Sequence, residues 1–530
     1  MKYDVDETFE VPSLLSLGAA YIEGVPAVQS DPVTQSLEAT YFDTADHRLA
    51  GARLTLRRRT GGDDEGWHLK LPGSSGDRHE VRLPLGRSRI TVPIELRRLV
   101  RALTGDRPLL PVATLSTERT VRKLLDATGQ VLVEVADDRV RAKRLAGGSN
   151  GVSAGSLEWR ELEVELYTAR RELLETMDEQ LRERGVRLAD SKSKLARVLD
   201  AGATLAAVDG AAGDGAAGAP EPSASADGAA ADAESSTAGA VVLRYVREQV
   251  RAIVSNDPAV RLDVPDSIHK MRVATRRLRS ALQTFTPVLP TTVTRPLRAE
   301  LTWLAGELGA ARDAEVLRHR LVAAVAAQTQ GADDGPLAHT VDVETSEAYR
   351  RAHDSLLVQL DSDRYHQLVT SLDELATAPP MTRKASRPAT KVLPARAARA
   401  YATLSDLVDA AHAAPPGGEQ DHQLHEARKA AKKARYAGEA LKDVFGEPAA
   451  RFATAMEAVQ EALGEHQDSV VMRDRLRELA EHESSPAAAF GLGRLHALEE
   501  IRGDQALAAF EVAWQQAEKK KLRRWLSAPG

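Results

Sequence analysis

The chain has no cysteine among its 530 residues. It can therefore build no disulfide framework, thiolate zinc site or thiol nucleophile, an absence that suits a reducing cytoplasm. Aromatic residues make up only 4%, which leaves few stacking platforms for single-stranded nucleic acid. No apolar run approaches the roughly 18–20 residues that a membrane span requires, and the acidic start Met1-Lys2-Tyr3-Asp4 lacks the basic region of a secretory signal. A basic excess is missing too. Residues 1–200 hold 31 Lys and Arg against 32 Asp and Glu, residues 239–530 hold 40 against 39, and the stretch between has no base and six acids. Any anion site must come from local clusters of cations, and a broad field for nucleic acid is not supported. The expectation is a soluble cytoplasmic protein with no membrane partner.

Large side chains vanish between residues 201 and 239, where Ala, Gly, Ser, Pro and Asp dominate. Ordering such a stretch costs more entropy than it can recover, so it reads as a disordered tether. Residues 1–200 show short alternating segments separated by turn signals, the pattern of an antiparallel sheet. Residues 240–530 are long Ala/Leu/Arg segments of helical period. The predicted fold class is α+β followed by all-α.

In the first half, Arg53, Thr55, Arg57 and Arg59 share one strand face, with Leu54 and Leu56 on the other. His68 and Lys70 follow the same rule against Trp67, Leu69 and Leu71. Glu134 and Asp138 then oppose Val133 and Val135, and Glu161, Glu163 and Glu165 oppose Leu162 and Val164. About eight such strands suit a small closed barrel. One wet face on a half-buried sheet would explain the alternation equally well, but three carboxylates in a row repel each other unless a cation or opposing bases lie beside them. Guanidiniums facing carboxylates across a lumen would hold a polyanion together with a divalent metal.

These segments resemble the CYTH superfamily of triphosphate tunnel enzymes. The resemblance is carried in order by TYFDTADHRL (40–49), LTLRRR (54–59), WHLKLP (67–72), EVADD (134–138), ELEVEL (161–166) and SKSKLARVL (191–199). It implies an eight-stranded antiparallel tunnel barrel with flanking helices. Arg57, Arg59, Lys70, Arg119, Arg122 and Lys194 would contact triphosphate. Asp138, Glu161 and Glu163 would be catalytic, and with Asp4, Asp6 and Glu165 they would bind Mg²⁺ or Mn²⁺. Where the family's first strand has Glu-x-Glu-x-Lys, this chain reads Asp4-Val5-Asp6-Glu7-Thr8. A neutral Thr8 cannot supply the cation, a loss of about 1.5–3 kcal/mol.

The second half repeats itself. HKMRVATRRLR (269–279) aligns without gaps on HEARKAAKKAR (425–435), and each is followed by a Leu-Gly element, LGAARD (308–313) and LGEHQD (463–468). On a helix these offsets place His269, Arg272, Arg276 and Arg279, and likewise His425, Arg428, Lys432 and Arg435, on stripes about 80° wide. Solvated faces usually intersperse Glu one turn away, and these stripes contain none. The pattern resembles CHAD, a histidine-containing helical domain. That resemblance implies a duplicated helical bundle whose basic groove binds inorganic polyphosphate, with Arg312 joining the stripes and Gln467 standing at its place in the second repeat. Three functions compete: a metal-dependent hydrolase of triphosphate or short polyphosphate, a polyphosphate-binding or sensing protein without turnover, and a nucleic-acid binder, which the charge balance and scarce aromatics oppose.

Overall fold

The structure, a computed structural model, describes residues 1–18, 27–72, 78–145, 154–191, 193–200, 237–328, 335–482 and 485–527. The chain divides into two compact units, Met1–Pro220 and Glu221–Gly530. The tether expected over 201–239 lies outside the described residues up to 236; Ala238 and Gly239 already belong to a helix, capped by the Thr237 hydroxyl.

The first unit is a ten-stranded antiparallel sheet with flanking helices. Its strands are β1 (Lys2–Asp4), β2 (Ala27–Gln29), β3 (Val33–Asp43), β4 (Thr55–Thr60), β5 (Gly66–Pro72), β6 (Arg78–Leu83), β7 (Leu110–Asp126), β8 (Val131–Arg144), β9 (Ala154–Leu166) and β10 (Arg187–Leu188). Pairing runs β10-β1-β9-β8-β7-β3-β4-β5-β6, with β2 also on β7. Eight strands were expected; β2 and β10, three and two residues long, are too short to leave an alternation in the sequence. Tyr41 on β3 and Trp159 on β9, three strands along the pairing order, share one buried cluster around Leu195, so the sheet curls this face inward. Arg53, expected on that face, instead sits before β4 at φ 62°, exposed.

Strand parity decides which face each residue joins. Leu124, Val133, Val135, Leu162, Val164 and Tyr3 form the outer core beneath Leu173, Met177 and Leu181 of helix Arg171–Glu183, whose four-residue spacing makes one apolar stripe. The inner face is itself split along the strands. At one end Tyr41, Leu115, Val140, Ala142 and Trp159 pack against Leu195 and Val198 of the short helix at 194–200, leaving the charged residues the other end.

The second unit is all helical among the described residues: α1 (Ala238–Arg261), α2 (Ser267–Thr284), α3 (Thr291–Gln328), α4 (Gly335–Leu360), α5 (Asp363–Thr377), α6 (Ala389–Val392), α7 (Pro394–Ala413), α8 (Gly418–Phe445), α9 (Glu447–His482) and α10 (Pro486–Ala517), then two short 3₁₀ turns. The repeated segments lie on α2 and α8, and each Leu-Gly element lies on the next long helix, α3 or α9. No helix among the described residues is long and apolar enough to cross a membrane.

Asp43, at the end of β3, is fully buried, and its carboxylate accepts from the backbone N–H groups of Thr44 (2.7 Å), Leu49 (2.9 Å) and Ala50 (2.9 Å). That clasp accounts for the aspartate in TYFDTADHRL by a structural role. Asp43→Ala would leave three amides without an acceptor. It is expected to cost about 2–4 kcal/mol in urea unfolding of the first unit, whereas Asp46→Ala, a solvent-facing neighbour, should stay within about 1 kcal/mol.

Candidate functional site

In the first unit, Asp138, Glu161 and Glu163 share the inner face because Asp138 pairs with Glu161 across β8 and β9, and Glu163 is two residues further on. All three are buried, and one carboxylate oxygen from each lies within 4.8 Å of the others. The Lys194 ammonium enters from the 194–200 helix and lies 2.8 Å from Asp138, 2.6 Å from Glu161 and 3.0 Å from Glu163. Arg119 forks onto Asp138 at 2.7 and 2.6 Å and reaches Glu163 at 2.6 Å. Burial alone would raise the carboxyls, but Lys194 and Lys2 hold Glu161 and Glu163 below the ordinary range. The same carboxylates overcome burial and push Lys194 up.

Further cations line the rest of this face. Arg57 is half-buried beside the Tyr41 hydroxyl, with no carboxylate among its ion pairs in the described residues. Arg59 holds Asp64 at 2.8 Å, and Lys70 lies 3.5 Å from Glu80. Burial pushes Glu80 up, yet hydrogen bonds from His68 and Arg82 and the charge of Lys70 leave it well below the usual range.

The first strand corrects the sequence reading. β1 ends at Asp4, and the chain then wraps the Arg160 guanidinium, which donates to the carbonyls of Asp6 (3.0 Å), Glu7 (2.9 Å) and Phe9 (2.8 Å). Asp6 and Thr8 are consequently exposed outside the strand, and Asp4 is paired with Arg197. Neither aspartate joins the carboxylate cluster. Lys2 does: opposite Glu163 in register, its ammonium contacts Glu163 and lies 3.3 Å from Glu161. Reading Lys2-Tyr3-Asp4 as the alternating strand, with Tyr3 as its core residue, would have found it. Two further expectations shift. Arg122 pairs with Val135 and lies on the outer-core face, opposite in parity to Arg119. Glu165 is exposed past the cluster.

In the second unit the two cationic stripes line one cleft of roughly 970 Å³, to which α2 brings His269, Arg272 and Arg276, α8 brings His425, Arg428, Lys432 and Arg435, and α3 brings Arg312. Arg272 and Arg428 each pack over a glycine. A Cβ at Gly309 would meet the Arg272 guanidinium at 3.5 Å, and one at Gly464 would meet that of Arg428 at 3.2 Å. Among the described residues each guanidinium's ion pair is a long contact to the aspartate four residues after that glycine, Arg272 to Asp313 at 3.5 Å and Arg428 to Asp468 at 3.7 Å. Arg276 and Lys432 have no ion pair among the described residues. Arg435 differs from its stripe, since Glu439 (2.8 Å) and Glu457 (2.7 Å) already neutralise it. Arg312 is held by Glu315 at 2.8 Å, and Arg279 faces a neighbouring cleft. His425 meets Gln467 at 2.9 Å, and both histidines are pushed down, first by burial and then by nearby cations.

Burial and the charges of Arg276, Arg428 and Arg272 bring Lys432 down to about 6 from its usual 10.5. A lysine whose folded value is depressed costs the folded state wherever the unfolded chain still holds the proton. The penalty is absent above pH 10.5, grows as pH falls and is complete below about 6. Lys432→Met is therefore expected to raise stability by about 1–3 kcal/mol at pH 6, with the gain fading toward pH 10. Thermal unfolding in dilute, phosphate-free buffer across that range checks it.

The model of the CYTH domain family matches residues 20–199, and that of the CHAD domain matches residues 244–477. Uncharacterized protein MT2285 of Mycobacterium tuberculosis (strain CDC 1551 / Oshkosh) is 34% identical over 493 residues, 90% of this chain and 88% of its own. Among solved structures, PptA from Streptomyces chartreusis is similar at 24% identity, covering 53% of this chain and 100% of its own with a TM-score of 0.46. The CHAD domain from the plant Ricinus communis is similar at 24% identity over 56% of this chain and 94% of its own, with a TM-score of 0.36.

Proposed function

The chain belongs to the proteins that carry a CYTH domain and a CHAD domain in one polypeptide, and from that premise we propose that it handles polymers of phosphate. Residues 240–530 grip polyphosphate, and residues 1–200 bind triphosphate or a short chain end and hydrolyse it with Mg²⁺ or Mn²⁺. The observation that carries the binding half is the ridge of Arg272, Arg276 and Arg428, half-buried cations with no carboxylate closer than 3.5 Å among their ion pairs in the described residues, with Lys432 beside them, whose depressed pKa a bound polyanion would raise again. Burying like charges together is costly unless a closely spaced polyanion neutralises them, and guanidinium forks match phosphate oxygens.

Asp138, Glu161 and Glu163 fit a hard divalent cation. All are oxygen donors, and the Lys194 ammonium at 2.6–3.0 Å from each stands in for the positive charge that the cluster demands. When bound there, such an ion would polarise a phosphoryl oxygen and lower the pKa of a water. Around it, Arg57, Arg59, Lys70 and Lys2 bind phosphate oxygens, while Arg119 orients Asp138 and Glu163. The cations and carboxylates share one face, so the phosphates and the attacking oxygen meet without crossing the apolar end plugged by Leu195 and Val198. A second reading, binding without turnover, draws on the same contact: Lys194 already satisfies all three carboxylates.

Arg276→Gln combined with Lys432→Gln should weaken polyphosphate binding by at least tenfold without unfolding the protein, and wild-type affinity should fall steeply with salt as several phosphate contacts release counterions. Isothermal titration with long-chain polyphosphate at two ionic strengths tests both; unchanged binding by the variant refutes the ridge. Turnover of triphosphate should require added Mg²⁺ or Mn²⁺ and vanish in Glu161→Gln/Glu163→Gln, measured as phosphate release. Lys2→Gln should lower kcat/KM roughly tenfold to hundredfold, the worth of one charge-assisted contact, while Thr8→Lys should change it by less than about twofold. A wild-type chain that binds triphosphate but releases no phosphate with either metal selects the second reading.

A further inference from the structure

Across the ridge from the main cleft lies a second one of roughly 1010 Å³. Arg272, Arg276, His425, Arg428 and Lys432 line both, so the two are continuous. Arg279, Arg295, Arg298, Lys429 and Lys433 add five further cations, against one lining carboxylate, Glu426, which Lys429 holds at 2.6 Å. Arg295 and Arg298 are the fifth and eighth residues of α3, so they add charge close to its positive N-terminal end.

Two hydroxyls carry the argument further. Thr294, 1% exposed, and Ser280, 7% exposed, line this bay, and neither side-chain oxygen has a hydrogen-bond partner among the described residues. The alternative was available to both on a helix. Thr275 donates to the Met271 carbonyl at 2.8 Å and Thr345 to the Val341 carbonyl at 2.6 Å, one turn back. Buried polar groups are rarely left unpaired, so orphan hydroxyls beside orphan guanidinium nitrogens, Arg298 Nε among them, mark a place for an acceptor-rich ligand.

We propose that this bay holds the terminal phosphate of a polyphosphate chain whose interior units lie on the ridge, a reading that rests on the polyphosphate function proposed above. An interior unit offers two non-bridging oxygens and one negative charge. A terminal unit offers three such oxygens and, near neutral pH, a charge approaching two. Two hydroxyl donors, a helix N-terminus and several cations converging on one bay match the terminal unit, whereas the ridge presents guanidiniums in sequence along a track. The bay therefore makes the groove directional and sensitive to chain ends.

The test measures affinity of the full chain for long-chain polyphosphate with free ends and for the same polymer with both ends capped as phosphoramidates. Wild type should prefer the free-ended polymer by roughly tenfold, the worth of one charge-assisted hydrogen bond. Thr294→Val with Ser280→Ala should erase that preference while leaving the capped polymer's affinity unchanged. Arg298→Gln alone should do the same, and it removes no buried hydroxyl should the double variant fold poorly. Arg276→Gln with Lys432→Gln should weaken both polymers. Equal affinity of wild type for the two polymers, or bay variants that lose both alike, overturns the end site while the ridge stands. A wild-type chain that binds neither polymer overturns the polyphosphate function itself.

Discussion

The contact on which the first unit turns is one ammonium shared by three carboxylates. Asp138, Glu161 and Glu163 could not be buried together as anions on adjacent strands without a central positive charge, and Lys194 supplies it at hydrogen-bonding distance from each. The apolar residues behind it make the arrangement possible. Leu195 and Val198 anchor the 194–200 helix against Tyr41, Leu115 and Trp159, and that packing brings Lys194 into the charged end. Core and site are thus successive residues of one helical turn.

The second unit solves the opposite problem with a different device. Its ridge assembles cations that lack close anions, and they are held in place by shape. Gly464 leaves room for the Arg428 guanidinium, which a Cβ would crowd at 3.2 Å, and Arg272 packs over Gly309, so each is oriented by packing, with Asp313 and Asp468 too distant to neutralise it fully. Because the arrangement occurs twice, in segments that align without gaps, duplication doubles the charge density of the groove where the two copies meet. The copies have diverged at the edges: Arg312 binds Glu315, while Gln467 in the equivalent place meets His425.

What could be read from the sequence follows from locality. Strand parity depends only on neighbours, so the inner placement of Arg57, Arg59, Lys70, Asp138, Glu161 and Glu163 was legible, as were the helical stripes on α2 and α8. The first strand differs because the family resemblance sets Asp4-Val5-Asp6-Glu7-Thr8 on the Glu-x-Glu-x-Lys strand, and nothing local announces that Arg160, more than 150 residues away, captures the carbonyls after Asp4. Arg122 enters only through the family resemblance, and its strand parity puts it on the opposite face from Arg119. Arg435 has the stripe's spacing, but Glu439, one turn on in the same helix, and Glu457, on another helix, both neutralise it. The cations of the second bay escaped for the same reason: Arg295 and Arg298 follow no stripe, and only the fold of α3 against α2 brings them beside Arg279.

The balanced composition of the helical half has a kinetic meaning. With 40 bases against 39 acids over residues 239–530, a distant polyanion sees almost no net charge, and beyond a screening length of about 8 Å at physiological salt the ridge is hidden. Such a surface draws little benefit from long-range steering, so encounters proceed at the pace of an unsteered collision. On the proposed function its discrimination would lie in residence time: a polymer in the groove would meet several cations at once and leave slowly, whereas a small anion would touch one or two and depart. On the proposed function, such a groove would retain phosphate polymers by dwell, with little pull on the anions passing around it.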